Sequence, residues 1–146
     1  MDFFNSMNVS ASALSAERTR MNLISSNLAN ANTTRTPEGG PYKRKDAVFA
    51  ATPVRNSFDR VLNNAANRDV RQVEVMQIVE DQRPPQLHFD PSHPDANAQG
   101  FVAMPNVNVV EEMADMITTT RSYEANVTAI QAAKSMAMKA LEISSK

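Results

Sequence analysis

The sequence predicts a mainly α-helical chain with a small β insertion, and three observations carry that prediction. Apolar residues recur at helical spacing near both ends, the glycines and prolines fall between those ends, and the same middle stretch holds two runs that alternate like strands. The N- and C-terminal helices are expected to pair as an α-helical coiled coil around a central β-rich, partly irregular segment. The divisions are an N-terminal helix over 1–34, a linker and insertion over 35–106, and a C-terminal helix over 107–146.

In the first segment Met7, Leu14, Met21 and Leu28 recur every seven residues, with Phe4 and Ala11 on one flank and Ile24 and Ala31 on the other. This is an apolar helical stripe and predicts a helix over 3–31. Arg18 and Ser25 interrupt the Phe4–Ala11 row, so the stripe is narrow.

The helix runs into NLANANTTRTPEGGPYKRK, where Leu28 is the one large apolar side chain before Thr34. Asn27, Asn30 and Asn32 suit helix ends and tight turns, because their amides compete for local backbone groups. Their amides are expected to bridge to neighbouring chains, with the small Ala29, Ala31 and Thr33 letting another helix or loop come close. Pro37, Gly39, Gly40 and Pro41 stop any helix. The basic run Lys43, Arg44 and Lys45, offset by Asp46, reads as a solvated strand entrance.

In the middle, AVFAATPV and VRQVEVMQIVE alternate in the strand manner, the second with Val73, Val75 and Gln77 opposing Glu74, Met76 and Ile78. QLHF and GFVAMP add candidate edge strands, and residues 58–62 a candidate helical turn. The connectors RPPQ and DPSHPDAN separate them.

Asn108 followed by Glu111 has capping-box spacing, with Asn in place of the usual Ser or Thr. Beyond it Met113, Met116, Thr120, Tyr123, Val127, Ile130, Lys134, Ala137 and Leu141 recur at alternating three- and four-residue steps. That is a heptad seam, with Thr120 and Lys134 as its polar and charged interruptions. Glu111 and Glu112 sit where the helix macrodipole favours acid. Two narrow helices touching only each other are short of stabilising neighbours. Both ends are therefore expected to be largely unfolded in the free chain and to become helical on joining partners.

Composition narrows the function classes. The length of 146 residues fits one domain, and 5% aromatic residues with no Trp allow only a thin core. Without Cys there is no disulfide framework, thiolate nucleophile or zinc-finger pattern. A net charge of -1 supplies no field for nucleic acid or an anionic membrane. No apolar run approaches the roughly 20 residues that span a bilayer, so direct membrane insertion is not expected. MDFFNSMNVSASALS lacks the basic n-region and apolar h-region of a secretory signal. Export would have to use a route with no cleaved signal.

His88, Asp90, His93 and Asp95 are a mixture that could ligate a metal, but prolines interrupt them and the spacing matches neither a helical His pair nor a calcium loop. They read as a structural loop. EGGP is not followed by Gly-Lys-Ser/Thr and is no phosphate loop, and no nucleophile elbow is present. No catalytic, cofactor or metal site is assigned. Met7, Met21, Met113 and Met116 fall on the helical stripes and read as adaptable interface filling, not as copper or haem ligands. Tyr123, inside RSYEAN, packs in the seam with its hydroxyl at the rim.

SSNLANANTTRTPEGGPYKRK resembles the N-terminal signature of the flagellar rod and hook proteins, with Ala29-Asn30 and Thr33 similar to that family's Ala-Asn-x-x-Thr motif. The continuation over 35–42 is similar to the proximal-rod branch. HPDANAQGFVAMPNVNVVEEM and TTTRSYEANVTAIQAAKSMAMKALEI resemble the C-terminal half of the same branch. The run Thr118-Thr119-Thr120 departs from the smaller Ala and Ser residues that the resemblance leads one to expect, and residues 50–86 carry little of it.

The resemblance implies a bacterial protein exported through the flagellar type III apparatus without a cleaved signal. It implies terminal helices that pair and pack beside those of other subunits. Together they would form the hollow basal-body rod that crosses the periplasm, transmits torque and lets export substrates pass. The implied partners are other rod proteins, further copies of this chain, the adaptor subunits between rod and membrane ring, and the export apparatus, with no cofactor. The implied assembly residues are Met7, Leu14, Met21, Leu28, Ala29, Asn30 and Thr33 with Met113, Met116, Tyr123, Asn126, Val127, Ile130 and Leu141. The competing readings are a soluble coiled-coil adaptor or export chaperone that does not polymerise, and a small enzyme using the His88–Asp95 loop.

Overall fold

The computed structural model describes residues 3–53 and 71–144, and the helical turn expected over 58–62 lies outside the described residues. A helix α1 (Phe3–Ala29) leads through a linker to strands β1 (Lys45–Pro53) and β2 (Arg71–Glu80). Two short strands, β3 (Gln86–Phe89) and β4 (Phe101–Met104), precede the last helix, α2 (Val109–Ser144). The expected fold class is the one observed: mainly helical, with two long terminal helices and small antiparallel strands between them.

The end of α1 is built from the amide-rich sequence. The Asn30 side chain donates to the Ser26 carbonyl at 2.9 Å, and Thr33 Oγ1 donates to Asn30 Oδ1 at 3.2 Å. The Ser26 carbonyl accepts twice, because the Asn30 backbone N–H also donates to it at 3.1 Å. The chain then doubles back, with Thr36 N–H donating to the Gly40 carbonyl at 2.9 Å and Tyr42 N–H to the Thr33 carbonyl at 3.0 Å. Gly39 and Gly40 take φ of 89° and 81°, a region that side chains with a Cβ rarely adopt. The two glycines of EGGP are therefore a turn requirement. Helix α2 opens as expected at Asn108, whose Oδ1 accepts from Val110 N–H at 3.1 Å.

The two helices run antiparallel, with Asn27 against Glu112 and Met21 against Thr120. On this side of α1 Ala16, Ile24 and Asn27 are buried, and so is Ala31 just beyond the helix end. On α2 the line of contact differs from the predicted seam. Met116, Tyr123, Ile130 and Ala137 are half-buried as one row, but the second row is Glu112, Thr119, Asn126 and Ala133, one residue earlier than expected. One residue turns a helix face by about 100°. Met113 and Lys134 accordingly face solvent, and Thr120 sits at the exposed edge of the contact, reaching only the Met21 sulfur. The shift has a physical reason: it keeps the Lys134 ammonium in water and places the small Thr119 and Ala133 where the helices meet. Thr118 and Thr120, from the threonine run, bond back to the Ala114 and Met116 carbonyls at 2.9 and 2.8 Å.

Strands β1 and β2 pair antiparallel from Lys45–Glu80 to Pro53–Arg71. The register shifts between Val48, which faces Gln77, and Phe49, which faces Val75, so Met76 is an extra, exposed residue on β2. This bulge breaks the two-residue alternation read from the sequence. The hairpin lies on α1, where Val73 N–H donates to Ser12 Oγ at 3.1 Å and the Arg20 guanidinium sits 5.8 Å from the centre of the Phe49 ring. Strands β3 and β4 pair from Gln86–Met104 to Phe89–Phe101, closed by an edge-to-face contact of Phe89 and Phe101 at 5.2 Å. Val102 of β4 is fully buried beneath them.

Candidate assembly site

The residues that tie the helix pair to the linker form one buried polar cluster. Asn27 is 0% exposed and Glu112 1% exposed, and burial of such groups is tolerated only when their hydrogen bonds are met. Asn27 meets all of its own. Its Nδ2 donates to the Lys45 carbonyl at 2.9 Å and to Glu112 Oε2 at 3.2 Å. Its Oδ1 accepts from Lys45 N–H at 2.9 Å and from the Tyr42 hydroxyl at 3.0 Å. Two donors and two acceptor positions are the full capacity of a carboxamide.

Glu112 Oε1 accepts from Arg44 Nε at 2.6 Å, and Arg44 also pairs with Asp46 at 3.1 Å. Burial works against the charged Arg44 guanidinium, but the hydrogen bonds and charges of Glu112 and Asp46 outweigh it and hold Arg44 above its ordinary value. Two sequence-based expectations are corrected here. Arg44 is turned inward as the counter-ion of a buried carboxylate, so the basic run is not simply a solvated strand entrance. The amide of Asn27 is spent within its own chain, leaving nothing to bridge outward, whereas Asn30 keeps one donor and one acceptor position beyond its bonds to Ser26 and Thr33.

The expected assembly residues divide by exposure. Met7, Leu14, Met21, Leu28, Asn30 and Thr33 are half-buried on the N-terminal side, and Met116, Tyr123, Asn126, Val127 and Ile130 on the C-terminal side. Ala29, Met113 and Leu141 are exposed. The sequence reading missed Val110, Ile117, Met136 and Ile143, which are exposed on α2 with Met113 and Leu141. Val110, Met113 and Ile117 follow one another at helical spacing and make one apolar strip outside the α1 contact. The signal for them was present as apolar residues off the chosen seam.

The loop from Asp90 fastens itself rather than gathering ligands. Asp95 N–H donates to His93 Nδ1 at 3.1 Å, and the Asp95 carboxylate accepts from Thr34 Oγ1 at 2.8 Å. A groove of about 410 Å³ under the linker turn is lined by Asn30, Tyr42, Lys43 and Glu80 among others, a set with no nucleophile poised beside a base. No helix among the described residues is long and apolar enough to cross a membrane.

Comparison with known family models matches the two helices that carry Asn27 and Glu112 of this cluster. The family model for flagella basal body rod proteins matches residues 7–35, and that for the C-terminal part of flagellar basal body rod FlgEFG proteins matches residues 98–143. The chain is 49% identical to the flagellar basal-body rod protein FlgC of Bacillus subtilis, over 98% of this chain and 99% of that protein. The chain belongs to the FlgC family of flagellar basal-body rod proteins. It is also 44% identical to the FlgC of Borreliella burgdorferi and 38% identical to that of Escherichia coli, each over 98% of both chains. A FlgC-type chain is a structural subunit of the basal-body rod, and the adaptor or chaperone that does not polymerise is not favoured. The FlgC relatives are structural rod proteins, not enzymes.

Proposed function

We propose that this chain takes its place in the proximal rod by packing its α1–α2 pair beside the helix pairs of neighbouring subunits. The observation that carries the reading is the strip Val110, Met113 and Ile117, exposed along α2 on a side that α1 does not cover. A monomer with a thin core gains little from such a strip, whereas a subunit with lateral neighbours buries it. Repeated heterologous contacts of this kind generate a helical tube instead of a closed ring. The hollow tube transmits torque and leaves a passage for exported chains. Its contacts are with other rod proteins, further copies of this chain and the adaptor subunits next to the membrane ring. Delivery is by the flagellar type III export apparatus, without a cleaved signal.

The test is complementation of a strain lacking this chain, followed by isolation of basal bodies. The native chain is expected in the rod. A Val110→Asp, Ile117→Asp double variant is expected to keep its helix content in solution, be exported and fail to enter the rod. Motility and normal incorporation of that variant would show that the strip is not an assembly surface.

A further inference from the structure

The loop between β3 and β4 is built from three turns of one kind in a row. In each, a side-chain atom at the δ position accepts from the backbone N–H two residues on. Asp90 Oδ1 accepts from Ser92 at 3.0 Å, His93 Nδ1 from Asp95 at 3.1 Å and Asn97 Oδ1 from Gln99 at 2.9 Å. Asp and Asn ordinarily close such turns, because their short side chains carry an oxygen at that place. In the middle turn an imidazole nitrogen stands where that oxygen would be.

Nitrogen in place of oxygen makes the middle turn sensitive to acid. A carboxamide oxygen accepts whatever the pH near neutrality. Nδ1 accepts only while the ring is neutral with its proton on Nε2, and in the imidazolium both nitrogens are donors. Histidine is also the side chain that changes charge between about pH 8 and pH 5. A proton added at Nδ1 sets two N–H groups against each other across the turn. The residue on the far side of that bond is the tie between this loop and the linker that follows α1: the Asp95 carboxylate accepts from Thr34 Oγ1 at 2.8 Å. The charged groups around the ring are the two acids of its own loop, Asp95 and Asp90, the latter accepting from His93 N–H through its backbone carbonyl at 3.3 Å. The linker adds Arg35 beside Thr34, and β3 adds the exposed His88. Both acids attract the ring once it is charged, so it has partners to turn to when the backbone bond is lost.

We propose that His93 is a pH-sensitive latch. Neutral, it closes the middle turn and holds Asp95 against Thr34; protonated, it opens the turn and releases the β3–β4 loop from the linker. The latch does not rest on the rod reading. The side chains of Asn27 and Glu112 bond to no residue of this loop, so one fastening moves and the helix pair stays in place.

The full-length native chain and two variants, His93→Asn and His93→Ala, are compared by amide NMR at about pH 8 and pH 5. Each protection factor is taken against the unfolded chain at the same pH, and the amide temperature coefficient gives a second readout where exchange is fast. In the native chain the Asp95 amide is expected to lose about 2- to 12-fold in protection on acidification, which is what one hydrogen bond contributes. The Gln99 amide, held by an Asn oxygen, is expected not to change. His93→Asn is expected to keep the Asp95 amide protected at both pH values, and His93→Ala to leave it unprotected at both. Equal protection at the two pH values in the native chain would overturn the latch. So would the same fall in His93→Asn, which would assign the effect to His88 or to the carboxylates. The Thr34 methyl signal reports the tie to the linker: it is expected to shift with acid in the native chain and not in His93→Asn. A Thr34 signal that stays still while the Asp95 amide responds would overturn release of the linker.

Discussion

Asn27 and Glu112 stand 85 positions apart in the chain, and their side chains meet at 3.2 Å with no solvent around either. Because Asn27 also holds Tyr42 and both backbone groups of Lys45, one carboxamide joins the first helix, the linker and the last helix. A buried polar group of this kind fixes register, since sliding either helix by a turn would strand every partner.

Asn27→Ala is expected to lower the unfolding free energy by about 2–4 kcal/mol, because it leaves several buried donors and acceptors without partners. Urea titration followed by circular dichroism measures this. A loss below about 1 kcal/mol would mean that water replaces the carboxamide at little cost.

The seam register predicts opposite outcomes at adjacent positions. Ala133→Leu places a large side chain where the helices meet and should cost about 1–3 kcal/mol, while Lys134→Leu should leave stability nearly unchanged. Thermal unfolding of the two variants separates the observed seam from the one that the heptad count predicts.

Gly100 has φ of 80°, and a Cβ there would stand 3.0 Å from a Phe89 ring carbon and 3.1 Å from Pro91 Cγ. Gly100→Ala is expected to loosen the β3–β4 hairpin by about 1–2 kcal/mol from the backbone alone, with crowding in addition. Gly39→Ala has a similar φ but open space around it, so it carries the backbone cost only. Hydrogen exchange at the Phe101 amide, which bonds to Asn97 Oδ1 at 2.9 Å, should rise in the Gly100 variant and not in the Gly39 variant.

Acid should weaken one surface pair in a definite direction. The hydrogen bond from Arg83 holds the Asp81 carboxyl below its usual 3.8. A depressed folded value means stability that is complete above the unfolded value and is lost as pH falls through the folded one. Asp81→Asn should therefore lower the melting temperature slightly near pH 7 and progressively less as pH falls below the usual carboxylate range, the effect being small because Arg83 is exposed. A loss that does not shrink with falling pH would show that the carboxylate charge is not what matters.

Folding on assembly is the remaining expectation. We expect amides over 3–29 and 109–144 to exchange rapidly in the free chain and slowly in isolated basal bodies. Full protection in the free chain would mean that the helix pair is preformed and that assembly adds only contacts between finished subunits.

The elements themselves were legible, because each follows from local chemistry: apolar periodicity for both helices, alternation for β1 and β2, Asn108 as a cap and EGGP as a turn. The polar cluster was not. Glu112 in the first turn of a helix has a sufficient local explanation in the macrodipole, and Arg44 in a basic run has one in solvation. Their pairing depends on where a linker returns in space, which no periodicity reports. The seam was read one residue late for a related reason. Met113 is more apolar than Glu112, and only the Arg44 and Asn27 partners make the carboxylate the buried member of the two. The exposed apolar strip of Val110, Met113 and Ile117 was passed over once a single stripe had been chosen.

The antiparallel pairing also sets how the molecule carries load. Both ends of the described chain, Phe3 and Ser144, emerge at one pole, the linker and the β3–β4 hairpin lie toward the other, and the β1–β2 hairpin lies alongside α1. A pull that separates those two ends would unzip the seam one contact at a time, starting with the weakly packed tail of α2. A pull from pole to pole would instead shear the helices along their whole contact, with Ile24, Ala133 and the Asn27–Glu112 bond strained together. The same helix pair is thus mechanically soft to peeling at its tail and stiff along its length.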